Sequence, residues 1–175
     1  MSRHYSFKYE KQMHIMVGNI GSGKSTYVKN MEEDFVTISR DKIRYMLGNG
    51  KYVFIPELET SVFDGELEIL KGLLKTGINI IIDETNMSDE SRARYIKLAK
   101  KHKYEVTAVV FEKLSKSESV RRRTKDNHGL FSKKIWGEVW DRFNGKYVEP
   151  SEKEGIHNII KIDNRKRNDW NHSCG

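Results

Sequence analysis

The sequence predicts an α/β fold in which one parallel sheet is covered by helices on both faces. Short apolar runs alternate with helix-like stretches along the chain, and this alternation is typical of βαβ units. The length of 175 residues suits one domain with a complete hydrophobic core. We therefore expect a single domain over residues 1–175, with a core at about 13–162 and polar tails at both ends.

Five apolar runs have the length and the residue types of strands. The run Ile78–Ile82 reads Ile-Asn-Ile-Ile-Ile, which indicates a central strand buried on both faces. The chain has only two prolines, so no proline-rich linker divides it. The predicted strands are Met13–Val17, Phe35–Ile38, Ile78–Ile82, Tyr104–Phe111 and Ile159–Ile162.

Helix-like stretches fill the intervals between these runs. The stretch Glu57–Lys75 places its aliphatic residues largely on one face, and Gly77 follows it as a C-cap stop. The predicted helices are Lys24–Glu33, Asp41–Leu47, Glu57–Lys75, Asp89–His102, Ser117–Lys125 and Ser132–Phe143.

Composition excludes several classes of protein. Hydrophobic residues make up 37% of the chain and aromatic residues 10%, too many for a disordered chain. No apolar run approaches the roughly 18 residues of a membrane span, and the N-terminus lacks a signal-peptide core. The only cysteine is Cys174, so we expect no disulfides and a soluble, cytoplasmic protein. The formal charge of +7 predicts attraction to nucleic acid, although such a charge can also serve solubility alone.

Residues 18–26 read Gly-Asn-Ile-Gly-Ser-Gly-Lys-Ser-Thr and fit the pattern G-x-x-x-x-G-K-[ST]. This segment, the phosphate loop, follows an apolar run and opens a predicted helix, which is the context in which the pattern binds phosphate. We expect positive φ at its three glycines, Gly18, Gly21 and Gly23, so that backbone N–H groups turn onto phosphate oxygens. The expected nucleotide-binding residues are Gly18, Gly21, Ser22, Gly23, Lys24, Ser25 and Thr26.

The pattern assigns chemical roles to two side chains of the phosphate loop. Lys24 is expected to reach the β and γ phosphates of ATP, and the Ser25 hydroxyl to ligate Mg²⁺. Thr26 lies one position further and is expected to support the turn. ATP and Mg²⁺ are therefore the predicted cofactors.

Carboxylates follow two predicted strands at the edge where open α/β sheets bind ligands. Asp41 follows the second strand, and the pair Asp83-Glu84 follows the third. A kinase needs one carboxylate near the metal and another that accepts the proton of the attacking hydroxyl. Asp83 is the candidate metal ligand and Asp41 the candidate base, although an N-cap role explains Asp41 equally well at this point.

Arginines flank these candidates. Arg121–Arg123 ends a predicted helix, where one or two guanidinium groups could stabilise a transferring phosphoryl group or all could be solvated. Arg40 and Arg44 lie on one helical face with Asp41 between them, where they either bind a phosphate of the acceptor or screen the carboxylate. The run Arg165–Arg167 is expected to be solvated or to bind nucleic acid weakly.

Together these motifs resemble the 5′-kinase domain of polynucleotide kinases of the phage and animal types. The resemblance covers roughly residues 13–162. It implies a P-loop kinase fold, with a five-stranded parallel sheet in the order 2-3-1-4-5, helices on both faces and a small helical lid. The segments that carry it are residues 18–26, Ser39–Arg44, Asp83–Asn86, Val120–Arg122 and Tyr147–Ile156.

The resemblance implies roles for individual residues. It makes Asp41 the general base, Arg44 the residue that holds the 3′-phosphate of the acceptor, and Arg122 the lid arginine that acts with Lys24 on the γ-phosphoryl group. The implied substrate-binding residues are Arg40, Arg44, Asp83, Thr85 and Asn86.

Two points of the resemblance stay open. Either Asp83 or Glu84 could be the carboxylate beside the nucleotide, and we favour Asp83. The phage enzyme has a second lid arginine where this chain has Asp126, and Arg123 or Lys125 could take its place.

Three functions follow as hypotheses. The first is an ATP-dependent polynucleotide 5′-hydroxyl kinase that acts on DNA or RNA ends, and the charge of +7 favours it. The alternative is a small-molecule kinase with a nucleoside, sugar or antibiotic hydroxyl as acceptor, which needs no basic groove. The third is a nucleotide-dependent switch that transfers no phosphate.

Overall fold

The computed structural model describes residues 11–31, 34–125 and 131–163. Its strands form one parallel sheet in the order β2-β3-β1-β4-β5, which confirms the predicted order. The predictions made for Asp126, Arg165–Arg167 and Cys174 lie outside the described residues. The strands are β1 (Gln12–Val17), β2 (Val36–Ile38), β3 (Ile80–Ile82), β4 (Glu105–Phe111) and β5 (Asn158–Ile162).

The six predicted helices are present with shifted ends. The predicted start of the third helix at Glu57 is wrong, because Pro56–Leu58 forms a separate 3₁₀ turn before it. Gly77 ends that helix in a left-handed conformation, with φ of 79°, as expected of a C-cap glycine. None of the helices in the described ranges is long and apolar enough to cross a membrane. The helices are α1 (Lys24–Asn30), α2 (Arg40–Leu47), α3 (Glu59–Thr76), α4 (Asp89–Lys101), α5 (Lys116–Lys125) and α6 (Lys133–Gly145).

The sheet is packed on both faces, as predicted. One face carries alternate residues of β1 such as Ile15, which pack with Leu70 of α3 and Tyr95 of α4. The other face carries Met16, which packs with Val28 of α1. Because side chains of a strand alternate between faces, β1 contributes to two hydrophobic clusters and is the most central strand.

The carboxyl ends of β1, β2 and β3 meet at one edge of the sheet. Backbone hydrogen bonds join the loops there: Gly18 N donates to Thr85 O at 3.0 Å, and Asp83 N donates to Ile38 O at 2.9 Å. The phosphate loop, the start of α2 and the segment after β3 are therefore held side by side. This edge is the place where open α/β sheets bind ligands.

Candidate active site

The phosphate loop has positive φ at two of its three glycines. Gly21 has φ of 67° and Gly23 has φ of 98°, so both take a conformation that other residues rarely adopt. The expectation of positive φ is wrong for Gly18, which does not belong to the positive-φ residues. A Cβ at Gly18 would come 2.8 Å from Ser22 Oγ and 3.0 Å from Phe111 Cβ, so the position needs glycine for space.

Lys24 is folded over the phosphate loop. Its side chain is buried, and Nζ donates to the carbonyl oxygens of Gly18 and Asn19 at 2.8 and 2.9 Å. Burial lowers the pKa of Lys24 to about 8, although the charge of Asp83 opposes this change. The ammonium group thus stays protonated at neutral pH inside a cradle of loop atoms.

The two carboxylates after β3 have different surroundings. Glu84 accepts hydrogen bonds from Arg40 N at 2.7 Å and from Arg40 Nη2 at 2.6 Å, so it ties the end of β3 to the start of α2. Burial raises the pKa of Asp83, and the charge of Lys24 opposes this. Asp83 is therefore the carboxylate of this pair whose main charged neighbour is Lys24.

Arg40 points into a buried cluster behind the site. Besides its bonds to Glu84, its Nε lies 3.7 Å from Glu66 Oε2. Glu66 is fully buried in α3, and the Tyr95 hydroxyl donates to it at 3.0 Å. Burial raises the pKa of Glu66 to about 7. The sequence predicted Arg40 as an acceptor ligand, whereas the structure uses its guanidinium to join α2, α3 and β3.

Asp41 lies in the first turn of α2, and its side chain is 46% exposed. The N-cap of α2 is Ser39, so the alternative that made Asp41 an N-cap is wrong. Arg44 Nη1 donates to Asp41 Oδ1 at 2.7 Å, and the Tyr52 hydroxyl donates to the same oxygen at 3.0 Å. Burial and the neighbouring Asp41 charge raise the pKa of Tyr52 to about 12, so the hydroxyl keeps the proton that it donates.

Arg44 is shared between two carboxylates. It donates to both oxygens of Glu59, at 2.9 Å from Nε and 2.5 Å from Nη2, in addition to its bond with Asp41. This two-point contact fixes the plane of the guanidinium group. Arg44 therefore lies beside the candidate base, as predicted, and its position is set by Glu59 at the start of α3.

Helix α5 packs against the phosphate loop. A Cβ on Gly21 would lie 2.6 Å from the carbonyl oxygen of Ser119, and Ser119 itself is buried. Arg122 and Arg123 follow at the i+3 and i+4 positions, which lie on the same helical face. Both arginines are consequently carried toward the loop and the start of α2.

The two arginines have different partners. Arg122 Nε donates to Glu118 at 2.6 Å, and its Nη1 is buried with no hydrogen-bond partner among the residues that the structure describes. Arg123 Nη2 lies 3.7 Å from Asp41 Oδ2, and its guanidinium group lies 4.6 Å from the ring centroid of Trp136. The structure therefore brings Arg123, which the sequence offered only as a substitute, directly to the candidate base.

The remaining predicted residues divide into two groups. Ser25 and Thr26 are exposed in the first turn of α1. The carbonyl oxygen of Thr85 accepts a hydrogen bond from Gly18 N of the phosphate loop, and buried Asn86 donates from Nδ2 to Met16 O at 2.9 Å. Thr85 and Asn86 thus hold β3 against β1, in addition to any contact with a substrate.

The chain has the groups that a magnesium nucleotide needs. In the described ranges no cluster of three or more His, Cys, Asp or Glu residues could hold a metal by itself. Mg²⁺ usually takes one or two protein oxygens and completes its shell with water and substrate phosphates. The exposed Ser25 hydroxyl and the Asp83 carboxylate form a set of that kind, and the cradle around Lys24 suits the phosphates.

Several site residues carry no signal in the linear sequence. Tyr52, Glu59 and Trp136 belong to segments remote from the motifs, and only the tertiary structure brings them to Asp41, Arg44 and Arg123. Glu66 could have been found, because it continues the i+4 series of buried residues in α3. That series is Val62, Glu66, Leu70 and Leu74.

Comparison with known proteins gives a family match over residues 13–150, to the family AAA_33, described as an AAA domain. A protein of Acanthamoeba polyphaga mimivirus named as a bifunctional polynucleotide phosphatase/kinase is 36% identical over 110 residues, which are 62% of this chain and 23% of that protein. A protein of Autographa californica nuclear polyhedrosis virus named as a bifunctional polynucleotide kinase/RNA ligase is 31% identical over 106 residues, which are 54% of this chain and 15% of that protein.

Among solved structures, a chain of the Pnkp1/Rnl/Hen1 complex is 27% identical, with a TM-score of 0.55, over 66% of this chain and 40% of that chain. The chain thus spans less than a quarter of the length of the two viral relatives. The family match over residues 13–150 includes the phosphate loop, Asp41 and Asp83.

Proposed function

Because the chain belongs to the AAA_33 family of AAA domains, we propose that it is an ATP-dependent kinase that phosphorylates the 5′-hydroxyl end of a polynucleotide. The observation that carries this proposal is the position of Asp41. Its half-exposed carboxylate lies at the edge of the phosphate loop and contacts Arg44 and Arg123. The relatives named as polynucleotide kinases support the choice of acceptor.

The donor half of the site would bind the phosphates of ATP. N–H groups of the phosphate loop would donate to the β and γ phosphates, and the Lys24 ammonium group would neutralise them. Ser25 and Asp83 would hold Mg²⁺, which supplies a positive charge to the phosphate oxygens as the leaving group forms. Arg122 extends this positive field from α5, where one of its nitrogen atoms is buried without a hydrogen bond among the described residues.

The acceptor half would activate the hydroxyl group. Asp41 would accept the proton of the 5′-hydroxyl group while the oxygen of that hydroxyl group forms a bond to the γ phosphorus. The bond from that phosphorus to the β–γ bridging oxygen breaks at the same time, and ADP leaves with the electron pair. Arg123, 3.7 Å from Asp41, would stabilise the charge that spreads over the γ oxygens.

Phosphate transfer to an oligonucleotide tests the proposal. The protein is incubated with Mg²⁺, γ-labelled ATP and a short 5′-hydroxyl strand of DNA or RNA, with the 5′-phosphorylated strand as the blocked control. We expect label on the 5′-hydroxyl strand alone, and a comparison of DNA with RNA gives the sugar preference. Absence of label while ATP still binds would contradict the proposal and favour a small hydroxylated acceptor or a nucleotide switch.

A further inference from the structure

The candidate base is part of a chain of contacts between aromatic rings and arginines. The Tyr52 hydroxyl donates to Asp41, and the Arg44 guanidinium group lies 6.0 Å from the ring centroid of Tyr52. The same guanidinium group lies 5.8 Å from the ring centroid of Phe54. This half of the series of contacts leads from Asp41 outward to Phe54.

The other half leads back to Asp41. The Phe54 ring packs edge-on against Phe131 at 6.1 Å, and Phe131 packs edge-on against Trp136 at 5.3 Å. Arg123 lies over the Trp136 ring at 4.6 Å and reaches Asp41 at 3.7 Å. The contacts therefore form a closed ring, the aromatic ring of contacts, which consists of Asp41, Tyr52, Arg44, Phe54, Phe131, Trp136 and Arg123.

The outer part of this ring of contacts is open to solvent. Phe54 is 48% exposed and the adjacent Ile55 is 45% exposed, whereas Trp136 is only 7% exposed. Met46 and Leu47 at the end of α2 are also exposed. Several exposed apolar side chains near the candidate base, rather than a single one, indicate a binding surface there.

The chemistry of the ring of contacts indicates what it binds. Aromatic faces stack on nucleobases regardless of sequence, and each stacked base contributes substantially to binding. Arg44 and Arg123 supply positive charge for phosphates at the same place, and exposed Lys51, Lys133 and Lys134 adjoin the ring residues in sequence. A sugar lacks the planar face and a nucleoside lacks the phosphate groups, whereas a polynucleotide end has both.

We propose, on the basis of the polynucleotide kinase function, that the exposed face of Phe54 stacks against the 5′-terminal base of a single-stranded acceptor. Stacking places the terminal sugar next to Arg44 and brings its 5′-hydroxyl to Asp41. A single strand can turn the face of its terminal base toward Phe54. A recessed end holds that base paired with the complementary strand, whose overhang continues past the outer face of the base and restricts access to it.

The stacking of the terminal base on Phe54 is tested by assaying two forms of the protein with two acceptors. The wild type and Phe54→Ala are assayed with a single-stranded 5′-hydroxyl oligonucleotide, and with the same strand that lacks the base at its first nucleotide. We expect Phe54→Ala to raise KM about 10-fold for the intact strand and by less than about twofold for the abasic strand. Phe54→Trp should restore the KM for the intact strand, since it restores an aromatic face.

The control is Ile69→Ala, which shortens an apolar side chain of α3 that is 47% exposed and lies outside the ring of contacts. This variant is expected to leave both KM values unchanged, and thermal unfolding of all variants checks that each is folded. An equal rise of KM for intact and abasic strands in Phe54→Ala would overturn the stacking contact.

The preference for single strands has its own measurement. We expect the wild type to show at least about 10-fold higher kcat/KM for a single-stranded end than for a recessed 5′-hydroxyl end in a duplex, and equal values would overturn it. If the wild type labels no oligonucleotide at all, the polynucleotide kinase function itself is wrong. Labelling of strands without any effect of Phe54→Ala would leave that function standing and reject only the role of Phe54.

Discussion

The donor and acceptor halves of the site are built in different ways. The phosphate-binding part of the donor half is one continuous segment, residues 18–26, in which backbone atoms surround a lysine that is 9% exposed. The acceptor half is assembled from side chains of α2, the segment after it, α5 and α6, around an aspartate that is 46% exposed. A donor common to many kinases can be held by backbone and one cation, whereas an acceptor is selected by side chains.

The largest expected effect comes from the donor half. Lys24→Ala removes the cation that neutralises the β and γ phosphates, and we expect transfer to fall by about 10³-fold with weaker ATP binding. Label transfer and ATP titration measure the two effects. Normal affinity for ATP in this variant would contradict the assignment of Lys24 to the donor, and would weaken the contrast between the halves.

A smaller effect, confined to transfer, is expected from the acceptor half. Asp41→Asn keeps the shape of the side chain but cannot take the proton, so transfer should fall by about 10²-fold while ATP affinity stays unchanged. The measurements are single-turnover transfer and ATP titration. Wild-type transfer rates in this variant would return Asp41 to a structural role as a partner of Arg44 and Tyr52.

The smallest effect concerns the cluster that joins the halves, and it appears in stability. The pKa of Glu66 is raised to about 7 in the folded protein from 4.5, so the folded state binds the proton more tightly than the unfolded state. The free energy of unfolding should therefore fall, by up to about 3 kcal/mol, as pH rises from about 4.5 to 7. Glu66→Gln removes this contribution, so its stability relative to the wild type should increase with pH.

Urea unfolding across this pH range measures the difference. Glu68→Gln is the matched control, because Glu68 is an exposed carboxylate on the same helix. We expect Glu68→Gln to follow the wild-type dependence on pH. A constant difference between Glu66→Gln and the wild type at all pH values would show that Glu66 does not take up a proton on folding.

Sequence reasoning reached most of the fold and the donor half. The alternating apolar runs and helices predicted the parallel sheet, and the strand order, which the resemblance to polynucleotide kinases implied, was confirmed. The positive φ expected of Gly18 was wrong, and this position needs glycine instead because Ser22 and, from β4, Phe111 leave no space for a Cβ.

The acceptor half was reached only in part. Asp41 and Arg44 have a motif around them, but Phe54 lies in the irregular segment after α2 and Trp136 lies in α6, so no local spacing marks them. The position of Arg123 depends on how α5 packs on Gly21, and a run of three arginines cannot show which one faces inward.

Arg40 connects the donor and acceptor halves of the site. One guanidinium group bonds to Glu84, which adjoins Asp83, and its own backbone N–H begins the helix that carries Asp41. Arg40 therefore connects the segment that carries the candidate metal ligand to the helix that carries the candidate base. We therefore expect substitutions of Arg40 to impair the protein although its side chain points inward, toward Glu84 and Glu66. Sensitivity of a position to substitution does not by itself identify a residue that contacts a substrate.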